Sequence, residues 1–374
     1  MNNSLKFIGY MVCAVCAPSV YAQTEVKPDA KPDAFLQCAQ HFSNNPAGRL
    51  KCFDNALGMP VSAPVKAGAV GEAPEAMSTD NYAQPAADVG ASGVAAGRRT
   101  YLTRVWNLDN RPHRDQSSLD RLQLHRQNYL IVRKSTNPNN LPTSPGIGNA
   151  GVTPNDIDAL EAKFRLSFKT SMYTNTDLDL GGFKTFRLWG AYTQQSSWQV
   201  FNTRNSSPFR ETNYEPELIA AFATGKESGF KLLNLGLTHQ SNGRPNPESR
   251  SWNRVYAQGG WEWDNTSLLA RAWWRIPENI LKDDNPDIVH YIGRAEVVAR
   301  WEPDDRSQAV LVAIRNNLNL NQNIGFVQVD WSLPVALGTA ARMHAQFTSG
   351  YGESLIDYNH RQNTFGLGFS FREW

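Results

Sequence analysis

The chain has 374 residues, with 37 Lys and Arg against 35 Asp and Glu, 11% aromatic residues and four cysteines. Its charge is balanced and dispersed, so it carries no basic footprint for nucleic acid. Past the N-terminus no run of about 18 apolar residues occurs and the mean hydropathy is negative, which excludes a helical membrane protein.

In chain order, residues 1–22 come first: a single Lys6, an apolar run from Phe7 to about Ala17, then Val20-Tyr21-Ala22. This fits a secretory signal cut after Ala22, and the run is too short for the alternative of a membrane anchor. Residues 23–58 keep Cys38 and Cys52, an even pair in an exported chain, and read as a small helical unit stapled by a disulfide. A metal site would need further ligands, and a redox pair would need closer spacing. Residues 59–98 are rich in Ala, Pro, Gly and Val with no sustained period, so a flexible linker is expected there.

Residues 99–374 are strand after strand with a period of two. Phe164, Leu166 and Phe168 alternate with Lys163, Arg165, Ser167 and Lys169, and Phe186, Leu188 and Tyr192 with Thr185, Arg187 and Thr193. About twelve candidate strands start near residues 129, 160, 184, 214, 229, 250, 267, 289, 307, 323, 338 and 363. A soluble β-sandwich would also alternate. Many of these segments, however, are about ten residues or longer, the length of a tilted membrane strand, and Trp and Tyr are abundant enough for two interfacial girdles. The last segment alternates Phe365, Leu367, Phe369 and Phe371 with Gly366, Gly368, Ser370 and Arg372, and ends on Trp374. That ending resembles the C-terminal signature of bacterial outer-membrane barrels. The expected fold is all-β, a transmembrane antiparallel β-barrel of about twelve strands in the outer membrane, preceded by a periplasmic extension.

One polar stretch stands apart, "THQSNGRPNPESRSWNRVY" over residues 238–256. Alternate side chains of a strand share a face, so His239 and Ser241 lie with Leu233, Leu235 and Leu237, the lipid side of a barrel. In the returning strand Asn253 lies with Val255, Ala257 and Trp261, also outward. The loop between carries Asn-Gly, two prolines and Ser. With the hairpin centred on Asn246, Asn253 falls opposite His239, at a cross-strand distance of about 5 Å. Ser241 lies two residues along from His239, about 7 Å away. Such a set could serve as nucleophile (Ser241), base (His239) and orienting group (Asn253). Polar groups on a lipid-directed face are costly unless functional, less so near the interface. An interfacial hydrogen-bonded cluster is the alternative, and these residues alone do not separate the two.

The same stretch closely resembles the active-site segment of the outer membrane phospholipase A family. "SSPFRETNYEPEL", "DDNPDI" and "SGYGESLIDYN" match as well, so the resemblance spans about residues 129–374. It implies a calcium-dependent acyl hydrolase of glycerophospholipids, with phospholipase A1, A2 and lysophospholipase activity, that works as a homodimer. It places the nucleophile on Ser241, the base on His239, the orienting amide on Asn253, and oxyanion N–H donors on Ser241 and Gly243. Its Ca2+ positions fall on the Arg244 carbonyl, Ser249, Asp284 and Ser206 of a partner subunit, and its cross-dimer glutamine on Gln194. Where the family pattern has an aspartate, this chain has Asn246, which keeps a carbonyl donor but removes a charge. A passive porin and a barrel that merely anchors the N-terminal unit are the rival functions.

Overall fold

The computed structural model describes residues 99–108, 122–149, 154–206, 209–336 and 340–371, together with Gln37, His41 and Cys52. The chain divides into two units, 1–81 and 82–374. Cys38, the signal and the whole of the expected linker lie outside the described residues. Every strand among the described residues belongs to the second unit.

A helix, α1 (Tyr101–Trp106), and a short strand, β1 (Leu122–Leu124), precede twelve long strands. These are β2 (Tyr129–Ser135), β3 (Leu160–Asn175), β4 (Thr185–Trp198), β5 (Glu211–Ala223), β6 (Gly229–Ser241) and β7 (Ser251–Trp263). They continue with β8 (Thr266–Ile276), β9 (Ala295–Trp301), β10 (Ala309–Asn316), β11 (Gly325–Pro334), β12 (Ala341–Gly350) and β13 (Gln362–Phe371), with a five-residue helix α2 (Ile288–Ile292) before β9. Each of the twelve pairs antiparallel with its sequence neighbour, and β13 pairs with β2, so the sheet closes on itself. β1 adds to β3 from the side. Closure removes sheet edges, the condition for strands to cross a bilayer. Among the described residues no helix is long and apolar enough to cross one.

The expected alternation is clear along β4, β5, β7, β11, β12 and β13. Along β13 the apolar Phe365, Leu367 and Phe369 are exposed while Thr364 and Ser370 are buried. One expected strand is displaced. Instead of starting near 289, β9 starts at Ala295, because Ile288–Ile292 winds into α2. A five-residue apolar run does not distinguish the two states by periodicity.

One mouth of the barrel carries the long connections, including 136–159, 199–210, 277–294 and 351–361, and the other has mostly short turns. In bacterial barrels the short-turn end faces the periplasm. α1 enters the lumen at that end. Its Leu102 N–H donates to Glu262 Oε1 at 2.8 Å, and Lys231 Nζ bridges Glu262 Oε2 (2.8 Å) and Thr103 Oγ1 (2.7 Å). Leu102 and Trp106 pack against buried Trp189 and Leu232.

Higher in the lumen, inward charges pair across several strands. Arg126 grips Glu215 with two hydrogen bonds of 3.0 Å, Arg254 meets the same carboxylate at 3.0 Å, and His125 contacts Glu217 at 2.8 Å. The cavity left among Arg126, Glu215, Arg254 and Glu353 measures about 120 Å³, room for a handful of waters. The loop 351–361 folds into the opposite mouth. Its Glu353 sits 3.0 Å from Lys163 Nζ and contacts Arg133, while Leu355 N–H donates to Asn213 Oδ1 at 3.0 Å. Against the cost of burial, Arg133 and Lys163 hold the Glu353 carboxyl down at about 2.

Candidate active site

The site is built on the β6–β7 hairpin at the long-loop mouth. The register pairs His239 with Asn253 and Ser241 with Ser251, as a turn centred on Asn246 requires. Inward positions of this hairpin are buried: Asn234, Thr238, Trp252, Arg254, Tyr256 and Gln258. His239, Ser241 and Asn253 stand on the outward side, half-buried. His239 Nδ1 and Asn253 Oδ1 are 2.8 Å apart. An amide oxygen only accepts, so the ring proton sits on Nδ1 and Nε2 keeps its lone pair. Ser241 shares the face of the ring but is not hydrogen-bonded to it. Nucleophile–base contacts are often loose before substrate binds.

Asn253 has a second partner that sequence reasoning missed. Its Nδ2 donates to Glu278 Oε1 at 3.3 Å. Glu278 lies on the loop after β8, and Asn253 pairs with Ile276 at the end of that strand. Burial pushes the Glu278 carboxyl up, partly offset by Arg275, with Asp283 adding to the rise.

The loop 242–250 is held from inside by two further residues not singled out in the sequence. Buried Asn242 accepts from the Arg250 N–H at 2.9 Å and donates from Nδ2 to the Glu248 carbonyl at 2.8 Å. Fully buried Arg250 donates to the carbonyls of Ser249 (2.7 Å) and Pro247 (3.1 Å). Asn-Gly marks such a turn, but which side chain closes it depends on the loop path. Gly243 adopts φ +63°, the left-handed region, and a Cβ there would meet the Tyr214 ring at 3.2 Å. Its N–H donates to no acceptor among the described residues, so it is available to a ligand.

The expected metal positions are partly brought together. Ser249 Oγ donates to Asp284 Oδ2 at 2.5 Å. From the loop after β2, Asn149 Nδ2 donates to the Asp284 carbonyl at 2.8 Å, and Ser144 Oγ to the same carbonyl at 2.6 Å. Asn149 is fully buried, yet its Oδ1 has no partner among the described residues. The Asp284 carboxylate and the Ser249 hydroxyl, with the Asn149 amide anchored on the Asp284 carbonyl next to them, are hard oxygen donors of the kind that suits Ca2+. Among the described residues no cluster of three or more His, Cys, Asp or Glu could hold a metal, so neutral oxygens would carry most of the ligation. Asn246 lies against this covering loop, with Nδ2 3.0 Å from where a Cβ of Gly148 would be. The Arg244 side chain reaches the Phe209 carbonyl at 3.0 Å and pairs with Glu248. Ser206 is on the β4–β5 loop, where its carbonyl accepts from Trp198 Nε1 at 2.6 Å.

Gln194 faces outward on β4 and pairs with Tyr214, which in turn pairs with Ser241. It therefore stands at the level of Ser241, two strand spacings or about 10 Å away. Tyr192 OH donates to its Oε1 at 3.2 Å and its Nε2 donates to Ser196 Oγ at 3.3 Å.

This outward polar hairpin sits in a chain whose residues 102–371 match the phospholipase A1 family. The chain belongs to that family. It is 35% identical over 295 residues to a putative phospholipase A1 of Neisseria meningitidis serogroup B, covering 76% of this chain and 73% of the relative. To the phospholipase A1 of Escherichia coli K12 it is 39% identical over 211 residues, 56% of this chain and 68% of that one. Its fold is similar to the calcium-bound outer membrane phospholipase dimer of Salmonella typhi. That likeness has a TM-score of 0.59 at 32% identity, and covers 72% of this chain and 97% of that one. This phospholipase A1 family member is a phospholipid ester hydrolase seated in the outer membrane as a closed twelve-stranded barrel.

Proposed function

We propose that the chain hydrolyses the acyl esters of glycerophospholipids and lysophospholipids at both the A1 and A2 positions, with Ser241 as nucleophile. The observation that carries this reading is the 2.8 Å contact of His239 Nδ1 with Asn253 Oδ1 on the lipid-facing side of the barrel. It leaves Nε2 as a base toward the side of Ser241.

As Ser241 Oγ bonds to the ester carbonyl carbon, its proton passes to His239 Nε2. The negative charge that develops on the carbonyl oxygen is met by the N–H groups of Ser241 and Gly243. Breaking the ester C–O bond releases the alcohol portion of the lipid, which takes the proton from His239. A water then gives its proton to His239 and its oxygen to the acyl carbon; the bond from that carbon to Ser241 Oγ breaks, Oγ takes the proton back from His239, and fatty acid is released. Asn253 holds the ring in the required tautomer throughout. The lipid is both substrate and solvent for this face, so no pocket within the lumen is needed, and the packed lumen argues against a porin.

Ser249, Asp284, the Arg244 carbonyl and Ser206 of the partner subunit would hold Ca2+, with Asn246 and Asn149 close by. When bound, the cation would supply positive charge beside the developing oxyanion. The Salmonella typhi relative is a dimer with bound calcium. For this chain, dimerisation through the face of Gln194 would complete the site, because beyond its contacts with Tyr192 and Ser196 the amide keeps a second N–H and a second carbonyl lone pair on a lipid-facing strand. In the first unit, a Cys38–Cys52 disulfide would staple residues 23–58, with 59–98 linking them to the barrel from the periplasm. The test is fatty-acid release from phospholipids labelled at each acyl position, with calcium or chelator. Release from only one position would remove the dual A1/A2 reading.

A further inference from the structure

We infer that Glu278 is a positioning residue that selects the tautomer of His239 by acting through Asn253. The inference rests on the proposed Ser241–His239–Asn253 triad.

The two ends of an Asn amide have nearly the same shape, and either can be turned toward an imidazole. With Oδ1 toward the ring, Nδ1 carries the proton and Nε2 is a base. With Nδ2 toward the ring, Nδ1 must accept, the proton moves to Nε2, and the base is lost on the side of Ser241. The amide cannot choose by itself. Glu278 supplies the choice. Its carboxylate oxygens only accept, and Oε1 lies 3.3 Å from Asn253 Nδ2, on the side of the amide away from the ring. Turning the amide over would place Oδ1 against that carboxylate and Nδ2 against a ring nitrogen. A single acceptor on the outer side thus fixes both Asn253 and, through it, the ring.

Its position follows from the sheet. Asn253 pairs with Ile276 at the end of β8, so a residue two places further lies diagonally across from it. Pro277 ends the strand there, and the chain turns with the Glu278 side chain still in reach. The charged groups around Glu278 are Arg275 at the end of β8 and Asp283 and Asp284 on its own loop. Arg275 is occupied by Asp283 at 2.7 Å and Asp284 by Ser249 at 2.5 Å, which leaves Glu278 to Asn253.

The experiment measures kcat against pH for the full-length protein in mixed phospholipid–detergent micelles. The variants are Glu278→Ala, Glu278→Gln, Asn253→Ala, Asn253→Ala/Glu278→Ala and Ser241→Ala, each checked for a folded barrel by its heat-dependent gel mobility. Glu278→Ala is expected to lower kcat about tenfold, the scale of losing a group that orients a functional histidine. Glu278→Gln offers an acceptor at one end and a donor at the other, so it keeps the contact without the one-way choice and is expected to recover only part of that loss. Its acid limb should move to lower pH, because the imidazolium loses a nearby negative charge. Glu278→Ala should cost nothing further once Asn253 is Ala. Overturning results are a Glu278→Ala kcat within twofold of wild type, or equal losses for Ala and Gln with unmoved pH limbs. Either of these, with Ser241→Ala inactive, removes Glu278 and keeps the triad. An active Ser241→Ala removes the triad itself.

Discussion

Replacing Asn253 by Asp sharpens the electrostatics of the site. In isolation, an aspartate beside an imidazolium is a stronger partner than an amide, so the change should help. The structure predicts the reverse. The atom of residue 253 that faces Glu278 Oε1 lies 3.3 Å from it, and Asn253→Asp turns that donor into a second carboxylate oxygen. Two unit charges at that distance repel by about 5 kcal/mol at an effective dielectric constant near 20. Because Glu278 is only half-buried, solvent screening roughly halves this. A penalty of about 2–3 kcal/mol corresponds to about two pH units, so one of the two carboxyls keeps a proton well above the ordinary carboxylate range. Below that raised value the proton bridges the pair and the ring stays oriented. As pH rises through it the proton is lost, the two side chains move apart, and His239 is released. In micelle assays across pH 5 to 9 (about the range such assays allow), Asn253→Asp should therefore lose activity progressively with rising pH relative to wild type. Asn253→Asp/Glu278→Gln, with an amide again opposite the new carboxylate, should regain it. An Asn253→Asp enzyme as active as wild type at the alkaline end, with Glu278 intact, would refute this reasoning.

Three further outcomes follow from the geometry. Asn246→Asp adds a carboxylate to a loop of mostly neutral oxygens and should lower the half-saturating calcium concentration, about tenfold, in a calcium titration of activity. Glu353→Ala leaves Lys163 as a buried cation without a carboxylate, while Arg133 keeps Glu161. It should cost about 3–5 kcal/mol in urea unfolding from lipid vesicles. In the wild type the Glu353 carboxyl is held at about 2 against an ordinary 4.5, so its contribution is present above about pH 4.5 and fades as pH falls toward 2. Gln194→Ala removes the polar group from the face at the level of Ser241, and should reduce the crosslinked dimer fraction at a given protein-to-detergent ratio.

The register of the site hairpin was legible because a strand has a side-chain period of two and the turn chemistry fixes its centre. Given Asn246 as that centre, the pairing of His239 with Asn253 and the outward face of Ser241 follow by counting. The inward face was also legible, as a string of Arg, Lys, Glu and Gln on alternate positions. Its pairing was not. Arg126 meets Glu215 across intervening strands, and no local pattern reports which strand lies opposite in a closed sheet. Glu278 was hidden for a related reason. It follows a β8 that reads as an ordinary outward strand, and its role depends on the β7–β8 register and on the path of the chain after Pro277. The helix α1 was missed because six residues give too little periodicity, and its place in the lumen rests on one long-range acceptor, Glu262. The displaced start of β9 has the same origin, a short apolar run that forms α2.

The central claim is that an outward-facing Ser241 attacks lipid esters, and hydrolysis of labelled phospholipid by purified, refolded full-length protein tests it most directly. Wild type and Ser241→Ala are compared, each with calcium and with chelator. Calcium-dependent fatty-acid release by the wild type that is absent from a folded Ser241→Ala barrel is the result expected. Release by Ser241→Ala at the wild-type rate, or none from the folded wild type at any calcium concentration, would contradict it.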